Sequence, residues 1–372
     1  MVNNLPAKIG TRIEDVDTPC LLVDLDAYER NLQRMARFMK DNGLRHRAHA
    51  KNHKCAVIAH DQMAAGAVGV CCQKVSEAEA LVNAGVPDVL VSNQVINPNM
   101  IERLAAMATR AKVMVCVDDI DNIDDLSAAA VRFNADLGVL VEIDVGAGRC
   151  GVAPGADAVP LAKKIDAAAN LTFKGLQAYQ GKAQHVHDYA ERKAQIDKAV
   201  EQVKDTVNQL AEAGLECELV DGAGTGTFAF EGTSGVYNEL QCGSYIFLDA
   251  DYQRVQKQDG GIIDDFDNSL FIYTTVMSKT KKEKAICDAG LKAQSVDSGV
   301  AVVYGRDDIE YVGASDEHGV ISDPDNKLKL GEKLYLVPGH CDPTVNIYDN
   351  LIGIRNGVVE RIMPVTARGM CL

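Results

Sequence analysis

Residues 20–43 read "CLLVDLDAYERNLQRMARFMKDNG". The first part, "CLLVDLD" (20–26), is a short aliphatic run with strand character. The second, "YERNLQRMARFMKDNG", carries apolar residues at helical spacing and stops at Gly43, a residue suited to a helix end. One strand is followed by one helix. What decides the fold is how often the chain repeats that unit.

It repeats through the first two-thirds. "HRAHA" (46–50) precedes a helix that ends near Gly66, and "AVGVCC" (67–72) precedes "SEAEALVNAG". "DVLVSN" (88–93), "KVMVCVDD" (112–119), "GVLVEIDV" (138–145) and "TFKGLQAY" (172–179) are each followed by an amphipathic stretch, and "ECELVDGAG" (216–224) closes the series. The helix after Tyr179 shows the pattern best. Ile196, Val200, Val203, Val207 and Leu210 recur at steps of three and four, an apolar stripe against an inner layer. Counting from Cys20 gives eight units if a helix follows Gly226. The α/β class follows, as a (β/α)8 TIM barrel over residues 18–255, with an open doubly wound sheet as the alternative. Beyond residue 255 the texture turns β-rich, with Gly, Asp and Asn turns and an "NG" hairpin signal at 356–357. Residues 256–372 are therefore read as a mostly β C-terminal domain, joined by the N-terminal segment 1–17.

Composition narrows the function. The 372 residues carry a formal net charge of −15, opposite to that of a general nucleic-acid binder. The 11 cysteines include no CxxC spacing, which argues for free thiols in a reducing compartment. "MVNNLPAKIG" lacks the charged and apolar regions of a signal peptide, and no apolar run reaches bilayer length. A cytoplasmic protein without nucleic-acid or membrane partners is expected.

In a β/α barrel the site lies at the C-terminal ends of the strands. "HRAHAK" ends one strand, and alternation puts Arg47, His49 and Lys51 on a common face. "VEIDVGAGRCG" (141–151) ends another, with Arg149 in a glycine-rich loop. "QAYQGKAQH" (177–185) supplies Tyr179 at a strand end and His185 in the loop beyond. "DGAGTGT" (221–227) offers three glycines and two threonines before a helix as an anion cradle of backbone N–H groups and hydroxyls. A lysine, a phosphate cradle, a tyrosine and an arginine together suit a phosphorylated aldehyde held as a Schiff base, that is, pyridoxal 5′-phosphate. Taken alone, each segment also reads as an ordinary solvated loop. In "PGHCDPT" (338–344), an extended chain puts His340 and Asp342 on one face with Cys341 pointing away. That pair leans toward hard divalent cations, suiting Mn, Mg or Co ahead of Zn but not excluding it, with water or substrate completing the sphere.

With these motifs assembled, the sequence resembles the D-threonine aldolase and 3-hydroxy-D-aspartate aldolase family. These are fold-type III pyridoxal phosphate enzymes related to alanine racemase. "RAHAKNHKC", "GVCCQKVSEAEA", "VEIDVGAGRCGV", "GAGTGT", "YNELQCGSYIFLDADY", "DAGLKAQSVDSG" and "VPGHCDPT" carry the resemblance, which spans residues 17–369. It implies that Lys51 holds the cofactor, that Arg149 lies near its pyridine ring, and that Gln73 and Tyr179 line it. It implies phosphate binding around Gly224, Thr225 and Gly226 with Tyr245 nearby, metal on His340 and Asp342, and His185 as catalytic base. The implied reaction is retro-aldol cleavage of a D-3-hydroxy amino acid, D-threonine or 3-hydroxy-D-aspartate, to glycine and an aldehyde. A homodimer is implied as well. A dehydratase of the same fold is the rival reading, but related D-serine dehydratases use a His-x-Cys zinc pair and Asp342 stands at the second position here. For a substrate β-carboxylate, Arg47, His46 and Arg306 are the candidate cations.

Overall fold

The computed structural model describes residues 5–372. Strand β1 (Cys20–Asp24) leads into helix α1 (Leu25–Asp41). The Asp24 side chain caps α1 by accepting from the N–H groups of Asp26 and Ala27. Gly43, just past the helix, has φ +65°, which glycine adopts without strain. Strands β2 (Arg45–His49), β3 (Gly69–Cys72), β4 (Asp88–Gln94), β5 (Lys112–Val117), β6 (Leu137–Glu142), β7 (Leu171–Ala178), β8 (Leu219–Gly222) and β9 (Glu239–Leu240) form a closed barrel. The pairs are parallel, and β9 pairs with both β8 and β2 to close it.

Between the strands run α2 (Ala56–Ala64), α3 (Val75–Asn83), α4 (Pro98–Ala108), α5 (Ile120–Phe133), α6 (Ala158–Ala167), α7 (Tyr189–Glu212) and the short α8 (Phe228–Gly232). On α7, Ile196, Val203 and Leu210 are buried as their spacing predicts, with Val200 and Val207 packed at the margin of the stripe. Inside the barrel, Cys71, Leu90, Met114, Cys116, Leu140 and Leu219 form a separate core.

The expected strand count needs correction. The barrel has eight strands, but β1 is not among them. It pairs antiparallel with β10 (Leu270–Lys281) and parallel with β16 (Asn350–Arg355), at the centre of the C-terminal sheet. Thus residues 20–24 fall outside the barrel assigned to 18–255. The reason is physical. Leu21 and Val23 enter the large core, whereas Cys20 and Leu22 enter a smaller one with Val16, Tyr273 and Val359. A strand buried on both faces reads as a continuous apolar run in either kind of sheet. The missing barrel strand is β9, two residues containing a buried glutamate, which leaves no hydrophobic signal.

The remaining strands are β11 (Lys284–Cys287), β12 (Val302–Val303), β13 (Glu310–Ala314), β14 (Gly319–Ser322), β15 (Lys333–Val337) and β17 (Val358–Pro364). The sheet runs β13-β14-β11-β10-β1-β16-β17, with β15 joining β10 to β12. Asn356 and Gly357, both at positive φ, make the tight turn between β16 and β17. Of segment 1–17, residues 1–4 lie outside the described residues. Arg12 bridges to Val358, and Ala7 and Val16 pack against the sheet. Among the described residues, no helix is long and apolar enough to cross a membrane.

Candidate active site

The barrel strands and the C-terminal domain meet at one cavity of about 110 Å³. Lys51 reaches it two residues beyond β2. Its side chain is 40% exposed, and Nζ lies 3.6 Å from Asp342 Oδ2. Burial works against the charge on this lysine, but Asp342 and then Tyr179 outweigh it, so its pKa stands above the usual lysine value. His49, on the same face, is buried. Burial, then the nearby Lys51, holds its pKa well below the usual range and keeps it a neutral imidazole. Its Nε2 lies 2.9 Å from the Gln73 side-chain amide, which also reaches Ser92 Oγ at 3.1 Å.

Arg149 comes from the glycine-rich loop after β6. The loop turns because Asp144 Oδ1 accepts from the N–H groups of Gly146 and Gly148. The Arg149 guanidinium lies 5.7 Å from the Tyr179 ring centre and 3.7 Å from Glu142 Oε1. Glu142, its pKa raised by burial, is held on its other oxygen by Gln94 at 2.6 Å.

The loop after β8 suits a phosphate. Among the described residues, the backbone N–H groups of Gly224, Thr225 and Ser244 have no protein acceptor, and all three residues open onto the cavity. The backbone is packed too tightly for a side chain. A Cβ at Gly224 would come within 2.4 Å of Gln184 Oε1, and one at Gly243 within 2.6 Å of the His49 carbonyl. An amine, unpaired N–H donors and a cationic guanidinium around one cavity fit pyridoxal phosphate.

Two expected cofactor contacts are placed elsewhere. The Tyr245 ring is fully buried on the outer side of the barrel wall, edge-on to His46 at 5.4 Å, with its hydroxyl 3.2 Å from Gln62 Nε2. Only its backbone approaches the loop, donating to Thr225 Oγ1 at 2.9 Å. The Gly226 N–H already donates to Gln184 Oε1 at 3.0 Å, and this residue lies behind the cavity. Thr227 is likewise committed, donating to Glu231 and accepting from Gln184.

His340 and Asp342 come together by a different route from strand alternation. His340 is extended, but Cys341–Val345 forms a short helix, α9, so Asp342 sits in its first turn. His340 Nε2 and Asp342 Oδ1 are 3.8 Å apart, a span two ligands of one cation can bridge at usual bond lengths of about 2.0–2.2 Å. His340 Nδ1 donates to Asp297 Oδ2 at 2.7 Å, which turns Nε2 toward Asp342. Asn52 Nδ2 donates to Asp342 Oδ1 at 2.7 Å. Among the described residues, no group of three or more His, Cys, Asp or Glu side chains is arranged around a common ion position. The pair therefore fits a divalent cation only with non-protein ligands completing its sphere.

The cations considered for a substrate β-carboxylate do not reach the cavity. Arg47 is fully buried below it, paired with Glu239 at 2.5 Å and Asp88 at 2.6 Å. His46 faces outward to the Cys242 carbonyl, and Arg306 pairs with Asp308 and Glu332 in the β domain. Lys54 also lies away from the cavity. It has φ +49° and joins Glu77 (3.1 Å) to Asn346 Oδ1 (2.9 Å), tying α3 to the C-terminal domain.

Sequence reasoning missed Asn52, Asp251, Tyr252 and Asp297. They lie in loops or, for Tyr252, at the start of a short 3-10 turn, visible only as parts of "KNHK", "FLDADY" and "SVDSG".

Comparison with known proteins gives matches along almost the whole chain. A family described as "Alanine racemase, N-terminal domain" matches residues 23–251, and a "Putative serine dehydratase domain" matches 269–354. A 3-hydroxy-D-aspartate aldolase of Paracoccus denitrificans (strain Pd 1222) is 54% identical over 370 residues, 98% of this chain and 96% of the relative. A D-threonine aldolase of an Arthrobacter species is 43% identical over 366 residues, with the same coverage of 98% and 96%. The crystal structure of D-threonine aldolase from Filomicrobium marinum superposes with a TM-score of 0.96 at 50% identity, covering 99% of this chain and 100% of that one.

Proposed function

The chain belongs to the D-threonine aldolase and 3-hydroxy-D-aspartate aldolase family, pyridoxal phosphate-dependent lyases with an alanine racemase-like barrel, and from that membership we propose a specific site and reaction. The barrel mouth cleaves D-3-hydroxy amino acids between Cα and Cβ, giving glycine and an aldehyde. The observation that carries this reading is the 3.6 Å approach of Lys51 to Asp342, which joins a cofactor lysine to a metal ligand across two domains.

Lys51 is the amine that anchors the cofactor. Gly224, Thr225 and Ser244 hold its phosphate through backbone N–H groups, while Arg149, Tyr179 and Gln73 surround its ring. When bound, pyridoxal phosphate supplies an electron sink for charge released at Cα. A divalent cation at His340 and Asp342, Mn, Mg or Co by ligand hardness, supplies Lewis-acid polarisation of an oxygen. His185 stands at the cavity edge to accept the β-hydroxyl proton. Arg149 is always protonated and has no proton to give at neutral pH, so it orients rather than acidifies.

Both D-threonine and 3-hydroxy-D-aspartate fall within this reading. The 54% relative favours the latter, while the lack of a free arginine among Arg47 and Arg306 allows the former. A homodimer in the cytoplasm completes the reading. Eleven free cysteines suit a reducing compartment, and the dimer rests on the family resemblance. The test is product analysis with both D-substrates, with and without Mn. Acetaldehyde or glyoxylate release supports aldolase activity. Ammonia release instead makes the protein a dehydratase, and neither product makes it a carrier.

A further inference from the structure

His185 is a poor base as its loop alone presents it. It ends a single 3-10 turn (Lys182–His185), and its side chain is 56% exposed. The turn backbone is fixed by its neighbour. Gln184 is buried and bonds to the Gln180 carbonyl, Thr227 Oγ1 and the Gly226 N–H. The imidazole has one polar partner among the described residues. Its Nδ1 lies 2.6 Å from Asp251 Oδ2, on the segment that leaves the barrel after β9.

Asp251 is free to serve the histidine. It occupies the position before the 3-10 turn Tyr252–Arg254 but makes no side-chain cap there. Asp249, two residues earlier, is committed to structure. Its oxygens accept from the backbone N–H groups of Tyr252 (3.1 Å) and Cys341 (3.0 Å). The other Asp251 oxygen has only a loose approach from Arg254 Nη1, at 3.9 Å. The Tyr252 ring packs beside the imidazole, 6.2 Å between centres. His185, Asp251 and Tyr252 all face the cavity.

An ionised carboxylate can only accept, so Nδ1 must carry the proton and Nε2 of the neutral ring keeps its lone pair. We propose that Asp251 is the positioning residue for His185, fixing its tautomer and aiming Nε2 at the substrate hydroxyl. The inference rests on the reading of His185 as the base. It adds the third member of a substrate–base–orienter chain.

A double-mutant cycle tests it in the cofactor- and metal-loaded enzyme. His185→Gln should lower kcat by about 100-fold or more, the usual worth of a positioned base. Asp251→Asn and Asp251→Ala should each lower kcat by roughly 10-fold or more, with KM and the cofactor absorbance band nearly unchanged. In the His185→Gln background, either Asp251 change should add no further loss, because residues acting as one unit are not additive. If His185→Gln keeps full kcat, the assigned base is wrong and the proposal falls with it. If His185→Gln is impaired but the Asp251 variants keep kcat, lose only cofactor, or multiply the His185→Gln loss, the base stands and the Asp251 role is overturned. Should one Asp251 variant fail to fold, the other decides alone, and retention of wild-type kcat in either is sufficient to reject it.

Discussion

Lys51, from the end of a barrel strand, and Asp342, from the first turn of a helix in the C-terminal domain, face each other at 3.6 Å. Lys54, three residues on, belongs to a different part of the molecule. Lys51→Ala should therefore abolish the Schiff-base absorbance on adding pyridoxal phosphate, while Lys54→Ala should keep it. Loss of the band in the Lys54 variant alone would reverse the assignment.

Lys54→Ala should instead cost stability. It would leave the buried Glu77 carboxylate without its counter-ion, although that group also accepts from the Gln73 and Lys74 N–H groups. Breaking such a buried pair costs about 3 kcal/mol. Denaturant unfolding followed by circular dichroism measures it, and an unchanged midpoint would show that the pair contributes nothing.

Metal dependence should follow the His340–Asp342 pair and its support. A chelator should stop aldehyde release and leave the cofactor band in place. Asp297→Ala removes the acceptor that fixes His340 and should weaken activation by Mn roughly 10- to 100-fold. Activity that is complete after exhaustive chelation would sink the metal assignment.

The phosphate cradle can be tested at a glycine. In Gly224→Ala the new methyl would meet Gln184, which three hydrogen bonds hold in place. Affinity for pyridoxal phosphate should drop about tenfold or more, a loss of about 1.4 kcal/mol. Titration of the apoenzyme by absorbance is the measurement. Unaltered affinity would place the phosphate elsewhere.

Behind that loop, burial raises the Glu231 carboxyl to about 8 from an ordinary 4.5, with the Thr227 hydroxyl only partly opposing. The folded chain keeps a proton that the unfolded chain releases near pH 4.5. Stability should fall as pH climbs from about 4.5 to about 8, then stay low. Glu231→Gln should remove this penalty, on the order of 5 kcal/mol at pH 9 and far less at pH 5. Melting temperatures at both values check the sign. An equal gain at the two pH values would rule out titration as the cause.

The barrel was legible because six of its strands, β3 to β8, carry apolar runs and alternate with helical segments, while β2, the polar "RHRAH", was placed by its position in that series. The eighth, Glu239–Leu240, was not legible, since its glutamate is stabilised by Arg47 and Arg45 rather than by apolar packing. β1 was legible as a strand but not as to its sheet, because burial on both faces looks alike in any central position. At the site, strand alternation correctly grouped His49 with Lys51. It also grouped Arg47, whose depth in the barrel periodicity cannot give. His340 and Asp342 converge through a helix start rather than through the strand alternation that had grouped them. Tyr245 lay close in sequence to the phosphate loop, yet its ring took the outer face. The supporting aspartates, Asp251 and Asp297, have no pattern of their own.

The place of β1 sets an order of events for the newly made chain. Its partners are β10 and β16, about 250 and 330 residues further on. Ribosomal synthesis delivers β10 and β16 only after the last barrel strand, so β1 must wait unpaired while the whole barrel emerges. Long-range closure of this kind is slow and leaves strand edges open to other chains. It also sets when competence is acquired. The lysine is present early, but Asp342 and His340 arrive with the segment that seals β1. The same late step that completes the sheet completes the proposed metal-binding pair, so on that proposal a chain halted before it would hold the cofactor lysine without the means of polarising its substrate.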